Sequence, residues 1–230
     1  VKVSGSTGEI VWVHTAGKTD DPAAFSDITA VAADSSGDVF VTASFRTLPG
    51  ETSPVQCSVQ QPFAPLLSSA GEEDIIVIKL NGGDGSLRWC QAYGGDHAEV
   101  VYALAVDSAG RALLCGKFEN RTRFASTATL TSAGLEDAFY MKLGGLRGEV
   151  LWARRLGGPL NDFAQAITVS PAGDSMVVVG SFESATGFAA TSSNPSLELS
   201  GRGPSLRDMF VVEAGTAIGE VRWTARVGGA

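Results

Sequence analysis

Several groups of residues in this 230-residue chain have the types and spacing that chemistry uses. Gly82-Gly83-Asp84-Gly85 could cradle a phosphate, but that requires free backbone amides at the start of a helix. No helical pattern follows, so the segment reads as a hairpin turn. Asp34, Ser36 and Asp38 offer oxygens to calcium without the regular carboxylate ladder of a calcium loop. Local turn capping accounts for them. Asp96-His97 could serve acid–base catalysis, yet no Gly-x-Ser-x-Gly nucleophile motif accompanies it, and a solvated loop histidine is the simpler reading. With only His14 and His97, a multi-histidine metal site is excluded by counting. Cys57, Cys90 and Cys115 leave two readings open: buried thiols acting as small hydrophobes, or one disulfide with an odd thiol left over. Asn120-Arg121-Thr122 is an N-glycosylation sequon where a loop is expected, while proline disqualifies Asn194-Pro195-Ser196. No catalytic, cofactor-binding or metal-ligating set emerges.

The elements that carry these residues follow from composition and periodicity. Hydrophobic residues make up 44% and charged residues 18%, a balance that buries a core rather than staying disordered. A net charge of −8 argues against nucleic acid or an anionic membrane surface as partner. No apolar run approaches the roughly 20 residues that span a bilayer. The chain begins at Val1 with no visible signal peptide, which suggests a processed or excerpted sequence.

Internal repeats organise the rest. Trp12, Trp89, Trp152 and Trp223 lie 77, 63 and 71 residues apart. Fifteen positions before the last three stand Asp74, Asp137 and Asp208. Ten before each tryptophan stand Lys2, Lys79, Lys142 and Glu213, and five after stand Gly17, Gly94, Gly157 and Gly228. Between these segments recurs an apolar run, a tight turn and a second apolar run: Asp34-Ser35-Ser36-Gly37, Asp107-Ser108-Ala109-Gly110 and Ser170-Pro171-Ala172-Gly173 are the turns. That pattern is a β-hairpin. About Thr47 to Gln60, rich in Pro, Ser and Gln, reads as a surface-loop insertion.

Ile75-Ile76-Val77-Ile78, Ala138-Phe139-Tyr140-Met141 and Met209-Phe210-Val211-Val212 are apolar throughout, as in strands covered on both faces. Val221 to Val227 alternates apolar with polar, as in a half-exposed outer strand. The expectation is an all-β fold, a β-propeller of about three complete four-stranded blades plus one half-blade. The half-blade is 1–18 and the blades are 19–95, 96–158 and 159–230. Trp89, Trp152 and Trp223 should be buried between blades. The missing half is expected before Val1, or as two strands lent by another chain.

Asp74-Ile75-Ile76-Val77-Ile78-Lys79-Leu80, Trp89, Gly94-Gly95 and Ala105-Val106-Asp107-Ser108-Ala109-Gly110 together resemble the SBBP-type β-propeller repeat. Leu67 to Gly71 and Leu130 to Gly134 are similar to its linker. The pattern is departed from at Lys18, Ser170 and Glu213. The resemblance implies a non-catalytic structural or protein-interaction module, extracellular or on the cell surface, whose partners are other protein chains or further repeats. Gly8 to Trp12 and Gly148 to Trp152 are also similar to the Gly-x-x-x-Trp docking motif of quinoprotein propellers, in which the tryptophan staples neighbouring blades. That likeness supplies the alternative, a quinoprotein-like cofactor-binding enzyme. Loops on one rim are the candidate partner contacts: Lys18, Asp20 and Asp21; Asp96, His97 and Glu99; Asn161 and Asp162.

Overall fold

The computed structural model describes residues 1–17, 25–47, 54–61, 63–183, 199–201 and 206–228. Every regular element among them is a β-strand. The hairpin turns explain why the chain folds back where it does. Asp34 Oδ1 accepts the amides of Ser36 and Asp38, and the chain then reverses through Gly37. Asp107 does the same for Ala109 and Arg111.

The first blade is an antiparallel meander of β3 (Phe25–Ala33), β4 (Val39–Phe45), β7 (Asp74–Leu80) and β8 (Leu87–Tyr93). The second is β9 (Glu99–Val106), β10 (Ala112–Ala125), β11 (Ala128–Leu143) and β12 (Val150–Leu156). The third is β13 (Asp162–Val169), β14 (Ser175–Phe182), β15 (Asp208–Gly215) and β16 (Val221–Val227). A two-stranded half-blade, β1 (Lys2–Val3) with β2 (Ile10–Trp12), precedes them. The first strands of the blades meet one another, β3 against β9 and β9 against β13. The tryptophan-bearing strands lie at the far edges of the sheets. This is the blade arrangement of a β-propeller.

Two apolar clusters fill the blade junctions. Phe40, Ile75, Val77, Trp89 and Tyr93 pack on Leu114, Phe139 and Met141 between the first and second blades. Leu113, Tyr140 and Trp152 pack on Met176, Val178 and Phe210 between the second and third. β7 is buried along its whole length because sheets cover both of its faces.

One expectation needs correction here. The insertion is not a plain surface loop. Its described part carries β5 (Val55–Gln56), paired with β6 (Leu66–Leu67), and buries Val55 and Cys57 against Ile76, Ile78 and Cys90. A Cys57–Cys90 disulfide fixes it there, so of the three cysteines only Cys115 is a buried free thiol. The sequence also gives no sign of how far β10 and β11 extend: their hairpin runs beyond the blade to the turn between Ala125 and Ala128.

Candidate functional site

The recurring residues converge on the blade junctions. Lys79 faces Trp89 across β7 and β8, and Lys142 faces Trp152 across β11 and β12. Lys79 Nζ and Trp89 Nε1 both donate to the carbonyl of Gly145 in the next blade, at 3.2 and 3.1 Å. Lys142 Nζ and Trp152 Nε1 do the same to Thr216, at 3.0 and 3.2 Å. In the half-blade, Lys2 and Trp12 share the carbonyl of Gly82. Trp12, Trp89 and Trp152 each also press on a turn glycine of the following blade: Gly85, Gly148 and Gly219. A Cβ on Gly148 would lie 2.8 Å from the Trp89 ring, and one on Gly219 would lie 2.9 Å from Trp152. Gly148 has φ +74°, so a side chain there would also strain the backbone.

The lysines have a second duty. Lys79 Nζ lies 3.0 Å from Asp34 and Lys142 Nζ 3.0 Å from Asp107, tying the outer hairpin of each blade to its inner turn. Burial disfavours a charged Asp34, but the Ser36 hydroxyl and Lys79 outweigh it and hold its carboxyl below the usual range. Asp107 is likewise held low against burial by the Arg111 amide and Lys142. In the third blade the aspartate is replaced by Ser170 and the lysine by Glu213. The two departures are therefore one change, since removing only one partner would bury an uncompensated charge.

The opposite rim holds the recurring aspartates and glycines. Asp74 and Asp208 are buried at the starts of β7 and β15, and Asp137 is buried within β11, opposite Phe118. Asp74 accepts the amide of Ala70 and Asp137 that of Ala133, at 2.7 and 2.9 Å. A Cβ on Gly157 would come 2.5 Å from the Asp137 carboxyl, and one on Gly94 or Gly228 would come closer still, 2.3 Å from Asp74 and 2.0 Å from Asp208. Gly17 instead pairs with Gln56 of the insertion. Asp137 and Asp208 have arginine partners, Arg155 at 2.7 Å and Arg226 at 3.2 Å. Ala92 occupies the corresponding position behind Asp74, and burial pushes that carboxyl up to about 6.

The candidate rim loops divide. Lys18, Asp20 and Asp21 lie outside the described residues. Asp96 is exposed and His97 half-buried. Glu99 and Asp162 are not rim contacts, because both are fully buried. Glu99 accepts the Gly95 amide and the Thr122 hydroxyl, and burial, abetted by the Asp74 charge, raises it to about 7. Asp162 accepts the amides of Gly158 and Glu183. Asn161 is half-buried and donates to Glu183. These carboxylates close the turns into β9 and β13. Asn120 is exposed at a bulge in β10 with φ +50°, whereas the Thr122 hydroxyl is buried.

The tryptophans divide as well. Trp89 and Trp152 are 8% and 6% exposed, but Trp223 is 41% exposed, against the expectation of burial. No described sheet follows the third blade, so its indole has no turn to rest on and donates to Glu213 of its own sheet. Between the half-blade and the first blade a cavity of about 500 Å³ is lined by Trp12, His14, Ile28, Val31, Val41 and Ile78. His14 spans its edge between the carbonyls of Gly85 and Cys57.

No protein-family model matches the sequence, and no curated protein matches it. Among solved structures the chain is similar to a quinohemoprotein alcohol dehydrogenase from Comamonas testosteroni, with 12% identity and a TM-score of 0.40. The match covers 86% of this chain and 35% of that one, so the chain spans about a third of that protein's length.

Proposed function

We propose that the chain is a non-catalytic β-propeller module whose work is structural and protein-binding, in a secreted or surface-displayed assembly. One observation carries this reading. The tryptophan, lysine, aspartate and glycine that recur at fixed offsets are spent joining strands and blades, while the positions that vary, such as Asp96 and His97, lie on the rim. Residues consumed by packing bind no substrate, and variable rim loops on a rigid scaffold are where partners dock. The SBBP-like repeat pattern points the same way, and the Cys57–Cys90 disulfide suits an oxidising compartment.

A second reading has one observation in its favour: the Gly-x-x-x-Trp staple resembles that of quinoprotein propellers. A visible absorbance spectrum separates the two. Protein incubated with a soluble ortho-quinone cofactor and calcium, then desalted, should retain no visible band. A stoichiometric retained band would overturn the non-catalytic reading.

A further inference from the structure

The junction between the first and second blades differs from the next one at two rim positions, and the difference concerns charge. In the second blade Arg155 Nη1 donates to Asp137 Oδ2 at 2.7 Å and to the Gly157 carbonyl at 3.3 Å. In the third, Arg226 stands 3.2 Å from Asp208. The first blade has Ala92 at that position, so no guanidinium lies beside Asp74. The next acid along the chain has changed as well: Glu99 stands where the following junction has Asp162.

The two carboxyls of the first junction converge. Asp74 Oδ1 and Glu99 Oε2 lie 2.3 and 2.7 Å from the point a Cβ on Gly94 would occupy. Asp74 is 2% exposed and Glu99 0%. Glu99 keeps the Gly95 amide on Oε2 and the Thr122 hydroxyl on Oε1. Asp74 Oδ2 accepts the Ala70 amide, but Asp74 Oδ1 has no hydrogen-bond partner. Among the described residues no lysine, arginine or histidine forms an ion pair with either carboxyl. Asp137 Oδ1 also lacks a hydrogen bond, yet that carboxyl is neutralised by Arg155 through Oδ2. Buried charges are paired or coordinate metals, and here the side-chain cation is missing.

We propose that Asp74 and Glu99 bind one calcium ion over Gly94, between the first and second blades. The two departures are then one change. The charge that arginine brings to the other blades is lost at Ala92, and the longer Glu99 carries a second carboxylate to the same point. Calcium is the hard divalent cation suited to an all-oxygen set of two carboxylates, with backbone carbonyls and water filling out its shell. Bound there, it would do for the first blade what Arg155 does for the second. The site is structural, and it goes beyond the non-catalytic reading without depending on it.

The test is calorimetric titration and thermal melting of the chelator-treated, disulfide-intact chain at pH 8, above the values at which both carboxyls ionise. Calcium should bind one to one with a Kd of about 10⁻⁴–10⁻³ M. At about 10 mM it should raise the melting midpoint by about 3–10 °C. Magnesium, which demands a tighter octahedral shell, should not reproduce the rise at the same concentration. Glu99→Gln should weaken binding about tenfold or more. Ala92→Arg should place a guanidinium beside Asp74, as in the other blades, and remove most of the calcium response. Far-UV circular dichroism verifies that each variant folds. A wild type with no saturable calcium response would overturn the proposal, leaving the pair held by protons alone. A response that magnesium matches, or that both variants keep in full, would overturn it too. Quinone retention bears on the non-catalytic reading alone.

Discussion

Lys142 and Trp152 stand opposite each other on neighbouring strands and donate to one carbonyl oxygen, that of Thr216 in the following blade. The same arrangement joins the first blade to the second through Lys79, Trp89 and Gly145. A carbonyl oxygen has two lone pairs, so one acceptor satisfies a buried ammonium and a buried indole together. The junction is thereby fixed in register as well as glued by apolar area.

Truncating a stapling tryptophan should cost far more than truncating the exposed one. Trp152→Ala should destabilise by about 3–5 kcal/mol, through lost transfer energy and the cavity left behind. Trp223→Ala should cost about 1 kcal/mol or less for the folded monomer, since much of its ring is already in water. Urea unfolding at low protein concentration measures both.

Gly148→Ala and Gly8→Ala form a matched pair. Both place a Cβ at positive φ, worth about 1–2 kcal/mol of strain. Only Gly148 also has an indole against it, so its variant should lose about 1–3 kcal/mol more from overpacking. Equal losses would mean that the contact with Trp89 contributes nothing.

The Asp107–Lys142 pair should behave as a coupled unit. Lys142→Met alone leaves Asp107 buried with only the half-exposed Arg111 beside it, and should cost toward the low end of about 3–5 kcal/mol. Combining it with Asp107→Ser should recover part of that loss, with a coupling energy of about 1–3 kcal/mol in a double-mutant cycle. The third blade already carries such a paired change at Ser170 and Glu213.

How far the sequence was legible follows from this pair. The offsets of lysine, tryptophan, aspartate and glycine located the strands and hairpins, because a repeated pattern reports repeated contacts. They did not reveal the acceptor, since a backbone carbonyl leaves no residue type behind. The joint loss at Ser170 and Glu213 was the visible signal of the ion pair, and it is easily taken as two separate drifts. Polarity misled at Glu99 and Asp162, where buried carboxylates cap turns, and at the insertion, whose Cys57 and Val55 are core residues in a Pro- and Ser-rich segment.

Asp74 and Glu99 give stability a defined pH dependence. Their folded values of about 6 and about 7 lie above the roughly 4 of unfolded chains. The folded state therefore holds the extra protons, and this stabilisation, complete below pH 4, is lost as pH rises through 6 to 7. Asp34 and Asp107 are shifted the other way and lose theirs as pH falls below about 4. Thermal melts should show greater stability near pH 5 than at pH 8, and Glu99→Gln should flatten that slope. An unchanged slope in Glu99→Gln would contradict the assignment.

Reducing the Cys57–Cys90 disulfide should cost about 3–4 kcal/mol, from the entropy of the loop spanned by its 33-residue separation. The loss should appear as a lower unfolding midpoint in reductant. Cys115, whose thiol burial pushes up to about 12, should resist alkylation in the folded state.

Hydrogen exchange at the four indole N–H groups tests most directly whether tryptophans staple consecutive blades. Resolved by NMR, Trp89 and Trp152 should exchange only on unfolding, and Trp223 faster by orders of magnitude. Four indoles exchanging at one fast rate would contradict the account, because none would then be held between sheets.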